Sequence, residues 1–264
     1  MTRTCSSPAT RCAIDADMKA LWKLAWTEIK LFVREPITMI FSFAFPILVL
    51  VLLGGIFGGR TVIDGDFAGV RMMNYYVPGY IALVVASIGL TSLPVHLANY
   101  REHGVLRRLR ASSVPEPALL GAQAFVSLMI GLVGGVLIAG LGFAAYGVSA
   151  PEQVGGLILA FVLGVFAFTA IGVLLASVLP NARSAQAVGL LLWFVMLFVS
   201  GTSAPLHVLP GWMKKVGEAL PLYHVQKSLE GPWQGHGTET LELLVVWAVG
   251  ALAALIAARV FRWE

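Results

Sequence analysis

The chain has 264 residues, 58% of them hydrophobic and only 12% charged, with a mean hydropathy of +0.84. A soluble domain is roughly 45–50% apolar and about 25% charged, so the composition excludes a soluble globular class and marks an integral membrane protein. The formal net charge of +4 sits in short loops beside apolar spans, where positive charge sets orientation, and no nucleic-acid partner is expected.

Residues 1–17 read as a disordered cytoplasmic tail. Its Cys5 and Cys12 lie in a reducing compartment, without the His or further Cys that a zinc site needs, so neither a structural disulfide nor a metal is expected. No cleavable signal peptide is visible in residues 1–36. Residues 18–35 read as an amphipathic interfacial helix. Leu21, Trp22, Ala25, Trp26, Ile29, Phe32 and Val33 recur at three- and four-residue spacing, with Lys19, Lys23, Glu28, Lys30 and Arg34 on the other side. A soluble docking helix for a partner is the alternative for this segment. Pro36 is expected to end it and turn the chain into the membrane.

A bilayer core of about 30 Å needs about 20 apolar residues of helix. Six stretches qualify: residues 37–57, 77–98, 118–146, 154–179, 184–204 and 241–258. The expected fold is therefore all-α and polytopic, with six transmembrane helices over 36–264. With the N-terminus inside, thirteen Lys and Arg fall on inner segments and five on outer ones. The positive-inside rule then puts both termini, and the charged loop 99–117, in the cytoplasm of a cell whose plasma (inner) membrane holds the chain.

His96 is the only titratable side chain well inside the expected spans, and it reads as a hydrogen-bonded interface residue. The absence of an intramembrane carboxylate or lysine argues against ion-coupled transport. Glycines punctuate the first, third and fourth spans, and Gly131 with Gly135 makes a Gly-x3-Gly spacing of the kind that allows a close helix crossing. Between the fifth and sixth spans, Pro205, Pro210 and Pro221 break the chain. A short helix is expected between Pro210 and Pro221, with Trp212, Met213, Val216 and Leu220 on one face, as part of an outer re-entrant segment that caps a pathway. Ser203 has no histidine on the sixth span to activate it, so serine-nucleophile catalysis is set aside, and no histidine pair has metal-ligand spacing.

Four pieces in chain order carry a resemblance. Arg34-Glu35-Pro36 leads into a span containing Pro46, and Tyr76-Val77-Pro78-Gly79 opens the second span. Glu102-His103-Gly104 is followed by Leu106-Arg107-Arg108-Leu109-Arg110 and Pro115. Ser200-Gly201, Pro205, Leu209-Pro210 and Leu220-Pro221-Leu222 come last. Together they resemble the type-2 permease family of ATP-binding-cassette exporters, which includes daunorubicin-resistance-like drug exporters, lipid exporters and polysaccharide exporters. The resemblance implies that the interfacial helix (Trp22, Trp26, Arg34, Pro36) and the loop after the second span dock on a separate ATPase subunit. It also implies a second permease copy, identical or similar, that completes the pathway. Glu102 would face the ATPase or a basic residue near it, Gly104 and Pro115 would shape the coupling loop, and Arg107, Arg108 and Arg110 would meet acidic groups or lipid phosphates. His103 and Ser112-Ser113 depart from the family's usual residues. No Gly-x4-Gly-Lys-Ser/Thr loop is present, so no cofactor is expected in this chain and ATP and Mg fall to the partner. The short loop 58–76 leaves no room for a large extracellular domain. A small permease with an apolar, aromatic lining suits a drug or lipid-like substrate, with Phe41, Phe45, Trp193, Met196 and Phe198 as candidate lining residues, and Gly201, Pro205, Pro210 and Pro221 in the re-entrant cap. Export of a polar polymer and a non-transporting membrane anchor are the alternatives. A channel is disfavoured by the lack of a charged ring or filter motif.

Overall fold

The computed structural model describes Trp26, Lys30, Arg34 and residues 36–57, 72–106, 108 and 116–260. Trp22, Arg107, Arg110, Pro115 and the tail 1–17 lie outside the described residues. So does most of the expected interfacial helix, of which Trp26, Lys30 and Arg34 are helical, with the Lys30 ammonium 5.4 Å from the Trp26 ring centre. The lysine and the tryptophan, four residues apart, thus share one face, whereas the sequence pattern had put them on opposite sides.

Among the described residues the chain is helical, without strands. Helix α1 covers residues 36–57, α2 Met72–Glu102, α3 Glu116–Tyr146, α4 Val154–Val178 and α5 Ala182–Val199. The short helices α6, Gly211–Glu218, and α7, Pro221–Trp233, precede the last span α8, Thr240–Val260. Five helices, α2 to α5 and α8, are long and apolar enough to cross a membrane, and α1 adds the shorter apolar stretch Ile40–Ile56. The protein is an all-α, multi-pass membrane protein. Helix α2 begins at Met72 rather than Val77 and runs on to Glu102. Its 31 residues rise about 46 Å at ~1.5 Å each, so its ends pass beyond a hydrocarbon core. Helix α5 ends at Val199 rather than Ala204, because Gly201 takes a left-handed φ of 92° that a continuing helix cannot hold.

Helix α2 is the axis. Its most apolar stretch is wholly buried, since α1, α3, α4, α5 and α7 all pack against it, and α8 lies on α4 and α7. The other long helices keep a bare apolar face, as at Leu132, Val136, Ile158 and Leu255, which suits a hydrocarbon solvent.

Prolines account for the departures from α geometry. Pro94 has no N–H, so the Leu90 carbonyl loses the donor that an α-helix would supply. The preceding turn widens into the π-helix Ile88–Ser92, closed by the Leu93 N–H on the Ile88 carbonyl. Pro46 does the same to Ile40–Ala44, closed by the Phe45 N–H on the Ile40 carbonyl. Around the widened turn of α2 the neighbouring backbones come very close. A Cβ on Gly189 would lie 2.0 Å from the Leu90 oxygen, and one on Gly172 would lie 2.3 Å from the Gly89 oxygen. Only glycine fits there, and this contact replaces hydrophobic drive within lipid. Gly131 and Gly135, by contrast, meet side chains of Phe161, Ile88, Val165 and Ile81 at 3.3–3.7 Å, with no backbone among them. The close backbone-to-backbone approaches of α2 to α4 and α5 are at Gly89, Gly172 and Gly189.

Candidate functional site

At one end of the bundle α2 finishes in Arg101 and Glu102, and each takes a backbone partner from a different helix. Arg101 Nη1 donates to the Ala176 carbonyl at 3.1 Å, and Nη2 donates to the Leu179 carbonyl. Ala176 lies in the last turn of α4, whose carbonyls have no intrahelical donor. Glu102 Oε1 accepts the Ala182 N–H at 2.7 Å, the first N–H of α5. Asn181 completes that N-terminus, its Oδ1 accepting the Ser184 N–H at 2.7 Å. A cation thus sits at a helix C-terminus and an anion at an N-terminus, both favoured by the helix dipole. The sequence reading had turned Glu102 toward a partner or a basic residue. In the structure one oxygen of the exposed Glu102 carboxylate bonds the backbone of α5, a donor that is 80 positions away in sequence.

Beyond Glu102 the chain bends at Gly104, whose φ of 66° is left-handed and costs any other residue strain. A Cβ there would meet nothing within 4 Å, so backbone conformation, and not space, selects glycine. The His103 N–H and Nδ1 both reach the Asn99 carbonyl, at 3.0 and 2.9 Å, and close the helix end. Leu106 is buried at 2% exposure, and Arg108 is exposed.

The residues picked as a lining converge only in part. Phe41 and Phe45 of α1 meet Trp193 of α5 edge-on, with centroids 5.3 and 5.1 Å apart. Phe194, which the sequence reading did not single out, joins them at 5.6 Å from Phe41 and stacks on Phe198 at 6.5 Å. Trp193 and Met196 are buried, and Phe198 is exposed. These rings fill the seam between α1 and α5, each pair adding a favourable edge or stacked contact. An apolar groove of about 430 Å³ lies elsewhere, between α2, α3, α4 and α7, with Ile81, Phe161, Leu229 and Trp233 in its wall and the lipid-facing Leu132, Val136 and Ile158 at its open side. None of the five picked residues lines it.

At the other end the three prolines of the re-entrant segment each start a helical turn. Pro205 precedes the 3₁₀ turn Leu206–Val208, Pro210 precedes α6, and Pro221 opens α7, where the fixed φ and missing N–H cost least. Tyr75 of α2 donates its hydroxyl to the Gly201 carbonyl at 2.9 Å. A buried polar string continues from there. Ser200 and Thr202 hydroxyls lie 3.1 Å apart, Thr202 donates to Gln226 Oε1 at 2.9 Å, and Gln226 Nε2 donates to Glu230 Oε1 at 2.5 Å. Lys227 Nζ is 3.7 Å from Glu230 Oε2. Burial pushes the Glu230 carboxyl up to about 7, against the pull of Lys227. His224 contacts Glu242 at the start of α8. The Tyr76-Val77-Pro78-Gly79 piece serves this cap. Pro78 deprives the Asn74 carbonyl of its helical donor, and Gln234 Nε2 supplies one at 3.4 Å. Gly79 leaves room for Gln226, whose Cδ would stand 3.2 Å from a Cβ. Helix α7 and its Gln226 and Glu230 were missed from sequence. The signal was present, since Leu222, Val225, Leu229 and Trp233 recur at three- and four-residue spacing after Pro221.

The model of the ABC-2 type transporter family matches residues 19–231. The chain belongs to this family. It is also similar to the daunorubicin resistance ABC transporter permease protein DrrB1 of Streptomyces coeruleorubidus, at 24% identity over 227 residues, which cover 82% of this chain and 74% of that protein. The ABC-2 match takes in α1 to α6, the Arg101–Glu102 end and most of α7, and α8 lies beyond it.

Proposed function

We propose that this ABC-2 chain is the permease subunit of an exporter energised by a separate ATPase subunit, which binds the ATP and Mg. It sits in the plasma membrane with both termini and loop 99–117 cytoplasmic, and a second copy or a similar chain completes the pathway. The observation that carries this reading is the end of α2. The most deeply buried helix of the bundle runs into the Gly104 bend and an arginine-bearing loop, so a force on that loop reaches the axis of the fold. Arg107, Arg108, Arg110 and Pro115 are the residues of the loop offered to the ATPase, together with the interfacial helix that carries Trp22, Trp26, Arg34 and Pro36.

The substrate is hydrophobic or amphipathic, drug-like or lipid-like. The name of the DrrB1 relative supports this class over a polar polymer. The deciding experiment purifies the tagged chain in mild detergent from its own host, identifies co-purifying proteins by mass spectrometry and assays ATP hydrolysis. A stoichiometric partner with a phosphate-binding loop, and ATP-dependent uptake of daunorubicin as probe into inverted vesicles, are the expected results. A chain that never brings down an ATPase is a membrane anchor and not a permease.

A further inference from the structure

We infer that Arg101 and Glu102 are positioning residues that bind the turn between α4 and α5 to the loop after α2, so that α2, α4 and α5 move as one body when that loop is displaced. This rests on reading loop 99–117 as the ATPase contact.

Two adjacent residues at the end of one helix take hold of two other helices. Arg101 holds α4 through the Ala176 and Leu179 carbonyls, and Glu102 holds α5 through the Ala182 N–H. All three partners are backbone groups, so the grip acts on the helix ends themselves. Each bond carries a formal charge, which makes it stronger than a neutral one. The same helices are joined a second time deeper in the bundle, where Gly172 of α4 lies on the Gly89 carbonyl and Gly189 of α5 on the Leu90 carbonyl. Twelve positions of α2 separate Gly89 from Arg101, about 18 Å at ~1.5 Å per residue. One attachment leaves a pivot. Two attachments that far apart remove it, and a push at Gly104 becomes a tilt of the whole three-helix unit. Helix α5 carries that tilt to α6, which packs against it near the other end, where a Cβ on Gly217 would be 2.1 Å from the Val199 oxygen.

The test uses the complex with its ATPase subunit in proteoliposomes, with Cys5 and Cys12 changed to serine and a spin label on Lys214→Cys of α6. Label mobility on adding ATP and ATP hydrolysis are read in the same sample. The response per ATP hydrolysed should fall about tenfold in Glu102→Ala, the effect of one charge-assisted hydrogen bond. It should fall between the parent and the alanine variant in Glu102→Gln, which keeps an oxygen acceptor for the Ala182 N–H but not the charge. Arg101→Ala should lower the response in the same way, and Arg101→Lys, whose one ammonium replaces a two-nitrogen fork on Ala176 and Leu179, should recover only part of it; this pair decides the matter if Glu102→Ala fails to assemble. A Glu102→Gln response as low as that of alanine shows that the charge faces a partner, and overturns the clamp. An alanine response equal to the parent also overturns it while leaving the permease reading intact. A parent complex whose label ignores ATP overturns the permease reading, and the clamp with it.

Discussion

Glu230 lies at full burial on α7, outside the spans, held by Gln226 and Lys227 and near Glu239. Its carboxyl is pushed up from 4.5 to about 7, so the fold favours the neutral form. The sign follows directly. Stability is greatest below the ordinary value, where the acid is protonated folded and unfolded alike. It declines as pH rises from 4.5 toward 7 and is flat above. The span of that decline is about 3 kcal/mol, at ~1.4 kcal/mol per pH unit. Glu230→Gln should abolish the slope, and at high pH it should be at least as stable as the parent, minus the lost attraction to Lys227. Thermal unfolding in detergent from about pH 4.5 to 8 measures this, and an unchanged slope in the variant would place the titration on another group. Glu102 and Gly104 stood out in the sequence because they sit in a charged run between apolar spans. Glu230 did not, because a lone carboxylate in a loop looks the same whether water or protein covers it.

Helices were legible where lipid imposes length and polarity. The borders of α3 and α4 fall within two residues of those expected, while the expected fifth span ran past a glycine in a left-handed conformation. Widened turns were not legible as such, although Pro46 and Pro94 marked them. A proline removes a known bond, but where the freed carbonyl goes depends on a neighbouring helix. The crossing of α2 and α5 gives the sharpest test at this scale. Gly189→Ala would place a methyl 2.0 Å from the Leu90 backbone oxygen, which cannot yield as a flexible side chain can. It should cost roughly 2–3 kcal/mol, the upper range for overpacking, or prevent folding. Gly140→Ala on α3 meets nothing within 4 Å and should be neutral or favourable by up to about 1 kcal/mol from helix propensity. Unfolding midpoints of the two variants check this, and equal losses would mean that α2 and α5 do not cross so closely.

For the molecule as a whole, the distribution of Lys and Arg predicts sidedness and the fold distributes the reporters. Arg108 lies just past the Gly104 bend, its N–H on the Gly104 carbonyl, and Lys214 lies on α6 at the other end, its side chain 51% exposed. In a background with Cys5 and Cys12 as serine, Lys214→Cys should react with a membrane-impermeant maleimide on intact cells. Arg108→Cys should react only after permeabilisation. The opposite pattern would invert the topology and remove the ATPase-facing assignment of loop 99–117.

Composition and spacing alone determined that the chain is a multi-pass helical membrane protein, roughly where its helices run, and which loop concentrates positive charge. These are properties of single segments facing a solvent, and a bilayer reads them one segment at a time. Only the tertiary structure decided that α2 is buried on all sides, that Glu102 bonds α5, that α7 covers a polar string, and that the candidate aromatic lining closes a seam while the groove opens elsewhere. Each of these joins residues far apart in the chain, and helices with similar apolar faces give no sign in sequence of which neighbour they will meet. Backbone carbonyls and N–H groups, which carry no residue identity, make several of the closest contacts.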